Sequence, residues 1–431
     1  MPSPFALTLI VIVVLSLTGL PLGFAMIGGS ILWLFLSGLD MGTAAEQLLN
    51  GMMASQLLLA IPLFILAAEF MNTGSIMDKL LHFCNAIVGR FRGGLAQVNV
   101  VQSVIFASMS GSALADAAAS GKLMQSLMTR DNKYPPAFAA ALTCISSIIG
   151  PIIPPSIPLV LFALVSDTSV GYLFLGGIVP GLLLGIAQSL MVAWSAKRRN
   201  FPVEARVPLR ELPRVTWEAM PALLMPVILL GCMYSGVTTP TEAAAVAAAY
   251  AVLISIFLYR SVTPRDIYRA LASSARVTVS ISMLIAGALV FNFVITSEDI
   301  PKTLKAMLAT WELSPIVFLL AINVLLLILG CFLEGTTIIL VILPVLLPTA
   351  QALGIDMVHF GVMCVVNIMI GLVTPPYGLL LFMMNKIANV TLRDMVRELM
   401  PFLGVTFVAL GLIAFVPDFV LFLPRLLGYK G

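Results

Sequence analysis

Two short stretches of this chain combine residue types that suit the coordination of a hard cation in an apolar surround. Residues 150 to 156 read Gly150-Pro151-Ile152-Ile153-Pro154-Pro155-Ser156, and residues 371 to 377 read Gly371-Leu372-Val373-Thr374-Pro375-Pro376-Tyr377, an offset of 221. Proline removes a backbone donor and clashes with the preceding helical turn. Two in a row unwind a helix and leave carbonyl oxygens bare. Lipid cannot satisfy those oxygens, so such backbone must line a protein cavity or hold something. Paired interruptions in the two halves of a membrane chain point to the ion and substrate site of a transporter.

Two polar tips precede the breaks: Ser110-Gly111-Ser112 and Glu334-Gly335-Thr336-Thr337. Their hydroxyls and carbonyls add oxygen ligands without a fixed charge. The candidate sodium ligands are therefore Ser110, Gly111, Ser112, Gly150, Pro154 and Ser156 in the first half, and Gly335, Thr336, Thr337, Gly371, Thr374 and Pro376 in the second. Helix N-termini at the tips carry partial positive charge, which suits a carboxylate. Candidates for substrate contact are Ser112, Asp116, Glu334, Thr336, Pro155 and Pro376. Each has a plainer alternative. Ser and Thr in membrane helices often bond their own backbone or tighten packing, and Asp116 and Glu334 stand where they could cap a helix. Asn99, Asn292, Asn323 and Asn367 read chiefly as packing hydrogen bonds. His82 and His359 have no partner at catalytic spacing and read as surface residues. No catalytic constellation is expected, and sodium is the only metal and no cofactor is implied. No Gly-x-x-x-x-Gly-Lys loop for a nucleotide occurs.

The elements that must position these residues are membrane helices. Apolar residues make 60% of the 431 and charged residues 10%, a balance foreign to soluble domains. Apolar segments of ~20 residues, each able to cross a ~30 Å core, follow one another. The five cysteines, Cys84, Cys144, Cys232, Cys331 and Cys364, have no metal spacing and read as small core residues. The N-terminus reads as a first span, not a signal peptide. Expected spans are 5–19, 21–38, 55–72 and 170–195, repeated as 217–235, 240–259, 277–296 and 399–423. Interrupted helices cover 136–166 and 357–388. Pro180 and Pro401 fit the same offset, and Pro21 and Pro240 nearly so. If both tips are re-entrant and the N-terminus lies outside, 19 of the 23 Lys and Arg fall in cytoplasmic segments, as the positive-inside bias asks. The fold class expected is an all-α polytopic membrane protein, an inverted repeat of five spans and one re-entrant hairpin each.

The run Met109-Ser110-Gly111-Ser112-Ala113-Leu114-Ala115-Asp116-Ala117-Ala118-Ala119-Ser120-Gly121 resembles the signature of the large membrane subunit of tripartite ATP-independent periplasmic (TRAP) transporters, as does Gly236-Val237-Thr238-Thr239-Pro240-Thr241-Glu242-Ala243-Ala244-Ala245-Val246. The resemblance extends over essentially the whole chain. It implies a sodium-coupled secondary transporter, not an enzyme, in a bacterial inner membrane, importing an organic acid of the C4-dicarboxylate or sialic acid class. The implied partners are a separate four-helix membrane subunit, a periplasmic binding protein, the lipid bilayer and a small organic acid anion, with no nucleic acid. It further implies an elevator-type fold. Mapped here, scaffold helices are 1–72 and 217–297, arm helices 73–93 and 298–311, a transport domain 94–199 and 312–424, and a basic cytoplasmic loop 200–216. Both termini would then face the periplasm. The second tip does not repeat Ser-Gly-Ser, so the two ion sites should be chemically unequal. Two rivals remain: a sodium–carboxylate symporter that needs no binding protein, and, more remotely, an intramembrane protease using Asp116 and Glu334.

Overall fold

In hydrocarbon a chain satisfies its backbone most simply as helix. The computed structural model describes residues 3–72, 74–203, 208, 210–260, 262–303 and 314–431, and all regular structure among them is helical. The first half runs α1 (Pro4–Leu17), α2 (Leu22–Leu36), α3 (Gly42–Ala54), a 3-10 turn (Gln56–Leu59), α4 (Ala60–Met71), α5 (Gly74–Val88), α6 (Gly94–Ser110), α7 (Ala113–Thr129), α8 (Pro136–Ser146) with a 3-10 turn (Ser147–Ile149), α9 (Ile157–Ser166) and α10 (Val170–Arg199). The second runs α11 (Leu212–Tyr234), α12 (Pro240–Leu253) with a π turn (Ile254–Leu258), α13 (Pro264–Ser297), α14 (Pro315–Phe332), α15 (Gly335–Ala352), α16 (Met357–Gly371), α17 (Leu379–Ala388), α18 (Leu392–Phe415) and α19 (Asp418–Leu426). The offset of 221 carries Gly94 to Pro315 and Pro136 to Met357, the first residues of matched helices.

Seven described helices are long and apolar enough to cross a bilayer, and the pair α3 and α4, bent by 72°, would make an eighth. The halves of the interrupted helices are shorter. Apolar side chains face outward at helical spacing; on α14, Ile316, Leu320, Val324 and Ile328 are all exposed. A stripe of that kind belongs in lipid.

Helix packing falls into two groups. In one, α2 lies on α13 and α12 on α4, the same contact made twice with the halves exchanged, and α4 also packs on α13. In the other, α14 lies on α16 and α6 on α8, while α7 packs on α17 and α15 on α9, so each hairpin touches the broken helix of the opposite half. The Thr239-Pro240-Thr241-Glu242 run serves the first group. Thr239 and Glu242 close a reciprocal capping box that opens α12, and the Thr241 hydroxyl donates to the Gln56 carbonyl at 2.9 Å.

Several boundaries differ from expectation. Helix α3 lies between two expected spans, where its mixed face carries too little apolar pattern to signal one. Helix α13 begins at Pro264 rather than near 277; the Thr263–Asp266 capping box starts it early, and its 34 residues extend about 51 Å at 1.5 Å per residue, beyond the hydrocarbon. Helix α11 starts at Leu212, within the expected loop. The last span ends at Phe415 and a separate short helix, α19, follows. The expected second arm, 298–311, lies mostly outside the described residues; helix is present at 300–303.

The second hairpin meets its broken helix backbone to backbone. A Cβ on Gly371 would lie 2.7 Å from the Cα of Gly330, so neither position has room for a side chain. Gly371→Ala is expected to cost about 1–3 kcal/mol through overpacking, read as a lower melting temperature of the purified chain in detergent. An unchanged melting temperature would show that α14 and α16 are not in this contact.

Candidate functional site

Both interruptions are where the sequence places them. Helix α8 ends in a 3-10 turn at Ile149, and residues 150–156 are non-helical and buried throughout. Helix α16 ends at Gly371, and residues 372–378 are non-helical. The Pro154–Pro155 and Pro375–Pro376 peptide bonds are both cis. The prolines leave oxygens unmatched. Among the described residues, the carbonyls of Gly150, Ile152, Ile153, Pro154 and Pro155 accept no hydrogen bond, nor do those of Val373, Thr374 and Pro376. Buried backbone acceptors are almost always paired. A row of unpaired carbonyl oxygens has the chemistry to coordinate a hard cation.

The first tip presses on its break. Gly111 adopts the left-handed conformation (φ +60°), and a Cβ there would lie 2.5 Å from the Pro155 carbonyl oxygen. Ser112 follows as the N-cap of α7, its hydroxyl accepting from the Ala115 amide at 3.4 Å. Ser156 caps α9 in the same way at 3.2 Å and donates to the Pro151 carbonyl. Two serine-capped N-termini thus meet beside one row of carbonyls. Dipole ends suit an anion and the carbonyls suit a cation. In the second half, the Gly378 amide donates to the Cys331 carbonyl at 3.0 Å, which ties the end of α14 to the break. Gly335 sits against Met369 and Ile368 at the end of α16.

The halves are unequal. The first break is wholly buried, whereas Pro376 and Tyr377 are exposed. Neither Glu334 nor Gly378 places a side-chain cap on the helix it precedes. Thr336 and Thr337 are half-buried, and the Thr374 hydroxyl donates to the Ile370 carbonyl at 2.7 Å. The Glu334 side chain is exposed. Ser110 is buried, and its hydroxyl has no partner among the described residues.

Asp116 does not cap α7; Ser112 takes that position. Its carboxylate is fully buried. Around it runs a polar belt that the sequence reading missed. Asn99 donates to the Thr143 hydroxyl at 2.7 Å, Ser103 to the Ser146 hydroxyl at 3.0 Å, and Ser147 to the Thr143 carbonyl at 2.7 Å. The signal was present as helical spacing: Asn99 and Ser103, Asp116 and Ser120, and Thr143 and Ser147 are each four residues apart. In the second half the belt shrinks to one pair, Asn367 donating to the Asn323 carbonyl and side-chain oxygen at 2.9 and 2.7 Å. Asn292 reaches from α13 to the Leu340 carbonyl of the second hairpin at 3.4 Å. His359 is not a surface residue. It is buried, with Nε2 2.9 Å from the Ile413 carbonyl, because α18 covers the start of α16.

Paired breaks met by hairpins in an all-helical membrane chain are a transporter-like arrangement, and a solved transporter structure shares the fold. The crystal structure of the YdaH transporter of Alcanivorax borkumensis superposes with a TM-score of 0.65 over 88% of each chain, at 13% identity, a likeness of fold. The sequence is more specific. The family of the tripartite ATP-independent periplasmic transporter, DctM component, matches residues 9–419, and this chain belongs to it. It is 40% identical over 417 residues to the sialic acid TRAP transporter large permease protein SiaM of Vibrio cholerae, covering 96% of this chain and 97% of that one. It is 42% identical over 371 residues to the C4-dicarboxylate TRAP transporter large permease protein DctM of Pseudomonas aeruginosa, covering 86% and 87%. The 2,3-diketo-L-gulonate TRAP transporter large permease protein YiaN of Escherichia coli is 37% identical over 404 residues, covering 94% and 95%. The chain is thus a membrane permease of the TRAP class, not an enzyme.

The free Ser110 hydroxyl and the bonded Asn367 amide should respond differently to removal. Ser110→Ala takes away a buried group with no protein partner and is expected to leave the melting temperature in sodium-free buffer unchanged or higher. Asn367→Leu strips two bonds from Asn323 and is expected to cost about 1–3 kcal/mol. The reverse order in a thermal melt would contradict these assignments.

Proposed function

We propose that this chain is the large membrane subunit of a sodium-coupled importer of a small organic acid anion, which a periplasmic binding protein delivers. A small four-helix membrane subunit, supplied as a separate chain, completes the assembly in a bacterial inner membrane, with both termini of this chain on the periplasmic side. The observation that carries the sodium reading is the set of unpaired carbonyls at the two breaks, the first met by its hairpin tip and the second by the end of α14. Sodium bound there links tip to break. That ordering completes the anion site between the serine-capped N-termini of α7 and α9, so substrate binds well only after the ion.

Relatives at comparable identity carry the names of three different organic acids. The substrate class is therefore the organic acid. Selection among members rests with the binding protein and a few contacts in the pocket. Movement follows the two packing groups. We assign α1–α4 and α11–α13 as the scaffold and α6–α10 with α14–α19 as the body that carries the site across the membrane. The cleft between α1, α2, α13 and the second hairpin is lined by apolar side chains such as Ile12, Met26, Ile295 and Val341. An apolar seam has few directed bonds to break as one group slides on the other. Each net positive charge carried inward gains ~2.3 kcal/mol per 100 mV of membrane potential, so two or more sodium ions with a monoanion would be driven by voltage as well as by gradient.

The test is uptake into proteoliposomes holding this chain and the small subunit, with the binding protein and a labelled organic acid outside. Uptake is expected to require sodium, to fail in potassium, and to rise with an inside-negative potential. Undiminished uptake with only protons or potassium would remove the sodium coupling. Full uptake without the binding protein would favour the self-sufficient symporter instead.

A further inference from the structure

The C-terminal part of α10 carries an exposed line of side chains in strict register. Leu182, Ile186, Leu190 and Trp194 are all exposed at intervals of four residues, and Arg198 is the next member. Positions four apart share one helix face, so an apolar strip runs to a tryptophan and then to a cation. The 30 residues of α10 extend about 45 Å, too long for a ~30 Å hydrocarbon core, so its basic end projects from the bilayer. Tryptophan is enriched where a helix leaves the hydrocarbon.

A second basic segment meets this end. Gly93 precedes α6 in the left-handed conformation (φ +78°), and a Cβ there would lie 2.9 Å from the Ala196 Cβ and 3.3 Å from the Val192 Cγ1. The Gln97 side-chain amide donates to the Ser189 carbonyl at 2.8 Å, which holds α6 on α10. The exposed turn Arg90-Phe91-Arg92 therefore lies beside Lys197 and Arg198, which are also exposed. Two rings accompany them. The Arg198 guanidinium stands 4.4 Å from the Trp194 ring centre, and that of Arg90 stands 5.3 Å from the ring of Phe91. A stacked guanidinium keeps its planar N–H edge for a carboxylate or phosphate. Among the described residues, Arg90, Arg92, Lys197 and Arg198 form no ion pair. The adjacent Arg199 shows the contrast: it turns to Glu398 at 2.8 Å and lies over the buried Phe138.

We propose that this corner binds one anionic phospholipid of the cytoplasmic leaflet. Its phosphate lies among Arg90, Arg92, Lys197 and Arg198, and an acyl chain follows Leu190, Ile186 and Leu182 along α10. Charge complementarity names the headgroup: four cations without an ion pair attract a net negative head, and a zwitterionic head brings no net charge to neutralise them. The apolar strip names the source, since a free phosphate would gain nothing from it. Basic residues in a last helical turn also suit the helix dipole, but that role needs neither a second basic segment nor aromatic platforms. The positive-inside bias puts both segments on the cytoplasmic side, where anionic lipid attracts Lys and Arg. A bound lipid ties the end of α5 to the end of α10. The site needs neither sodium nor substrate, so it stands apart from the coupling reading.

The experiment is quenching of Trp194 by brominated lipid. The chain is reconstituted in phosphatidylcholine vesicles that contain an equal share of brominated phosphatidylglycerol or of brominated phosphatidylcholine. The Trp194 signal is the difference between the parent and Trp194→Phe. Phosphatidylglycerol is expected to be preferred about tenfold or more, because each Lys or Arg near an anionic surface contributes about fivefold, ~1 kcal/mol. Arg92→Gln combined with Arg198→Gln is expected to cut that preference about tenfold or more for the same reason. Arg265→Gln combined with Arg276→Gln removes the same charge from exposed positions of α13 and is expected to leave the preference unchanged. Equal quenching by the two lipids in the parent overturns the proposal. So does an equal loss in the α13 variant, which would make the effect one of diffuse charge. Excess inorganic phosphate, set against sodium chloride of the same ionic strength, is expected to leave the quenching in place; relief by phosphate alone overturns the lipid as occupant. If the Arg92 and Arg198 double variant does not accumulate, Lys197→Gln and Arg198→Gln singly decide, and an unchanged preference in both overturns the site.

Discussion

Backbone carbonyls without partners, deep in an apolar chain, are the constraint that organises this protein. A helix would have absorbed them, but the paired prolines forbid it, and hydrocarbon offers no substitute. The structure meets the problem twice by the same means. A hairpin is pushed onto each broken helix, with glycine at the contact because nothing larger fits: Gly111 of the first tip against Pro155, Gly330 of α14 against Gly371. In the first half the surrounding helices bury the break completely, whereas in the second it stays partly open.

The two solutions are chemically different. The first is enclosed by a hydroxyl belt, with serine caps on both facing helices. The second relies on one asparagine pair and a main-chain bond, and its break reaches the surface at Pro376 and Tyr377. Duplication supplied the geometry; side-chain divergence made one half polar and tightly bonded and left the other open. A transporter needs its two sides to open at different moments, and unequal hairpins give a physical basis for that.

The breaks, tips and repeat were legible in the sequence because proline and glycine act locally: Pro154 and Pro375 disrupt a helix whatever surrounds them. The family resemblance was legible for the same reason, since its second motif is in part a capping box at Thr239 and Glu242, a local device. What the sequence hid was tertiary. His359 reads as an edge residue until α18 is seen to cover it. Asp116 reads as a cap or a substrate contact, and of the two the capping position is taken by Ser112. Helix α3 escaped because mixed polarity carries no span signal, and α13 was shortened because its first turns, polar and capped, lie beyond the hydrocarbon.

The central claim is that the unpaired carbonyls at the two breaks exist to hold sodium. Electron cryo-microscopy maps of the assembled transporter, recorded in sodium chloride and in choline chloride, address it directly. The account predicts density within coordination distance of the Gly150–Ser156 and Gly371–Pro376 carbonyls in sodium only, with the tips less ordered in choline. Breaks that look the same in both salts, with no density between tip and break, would contradict it.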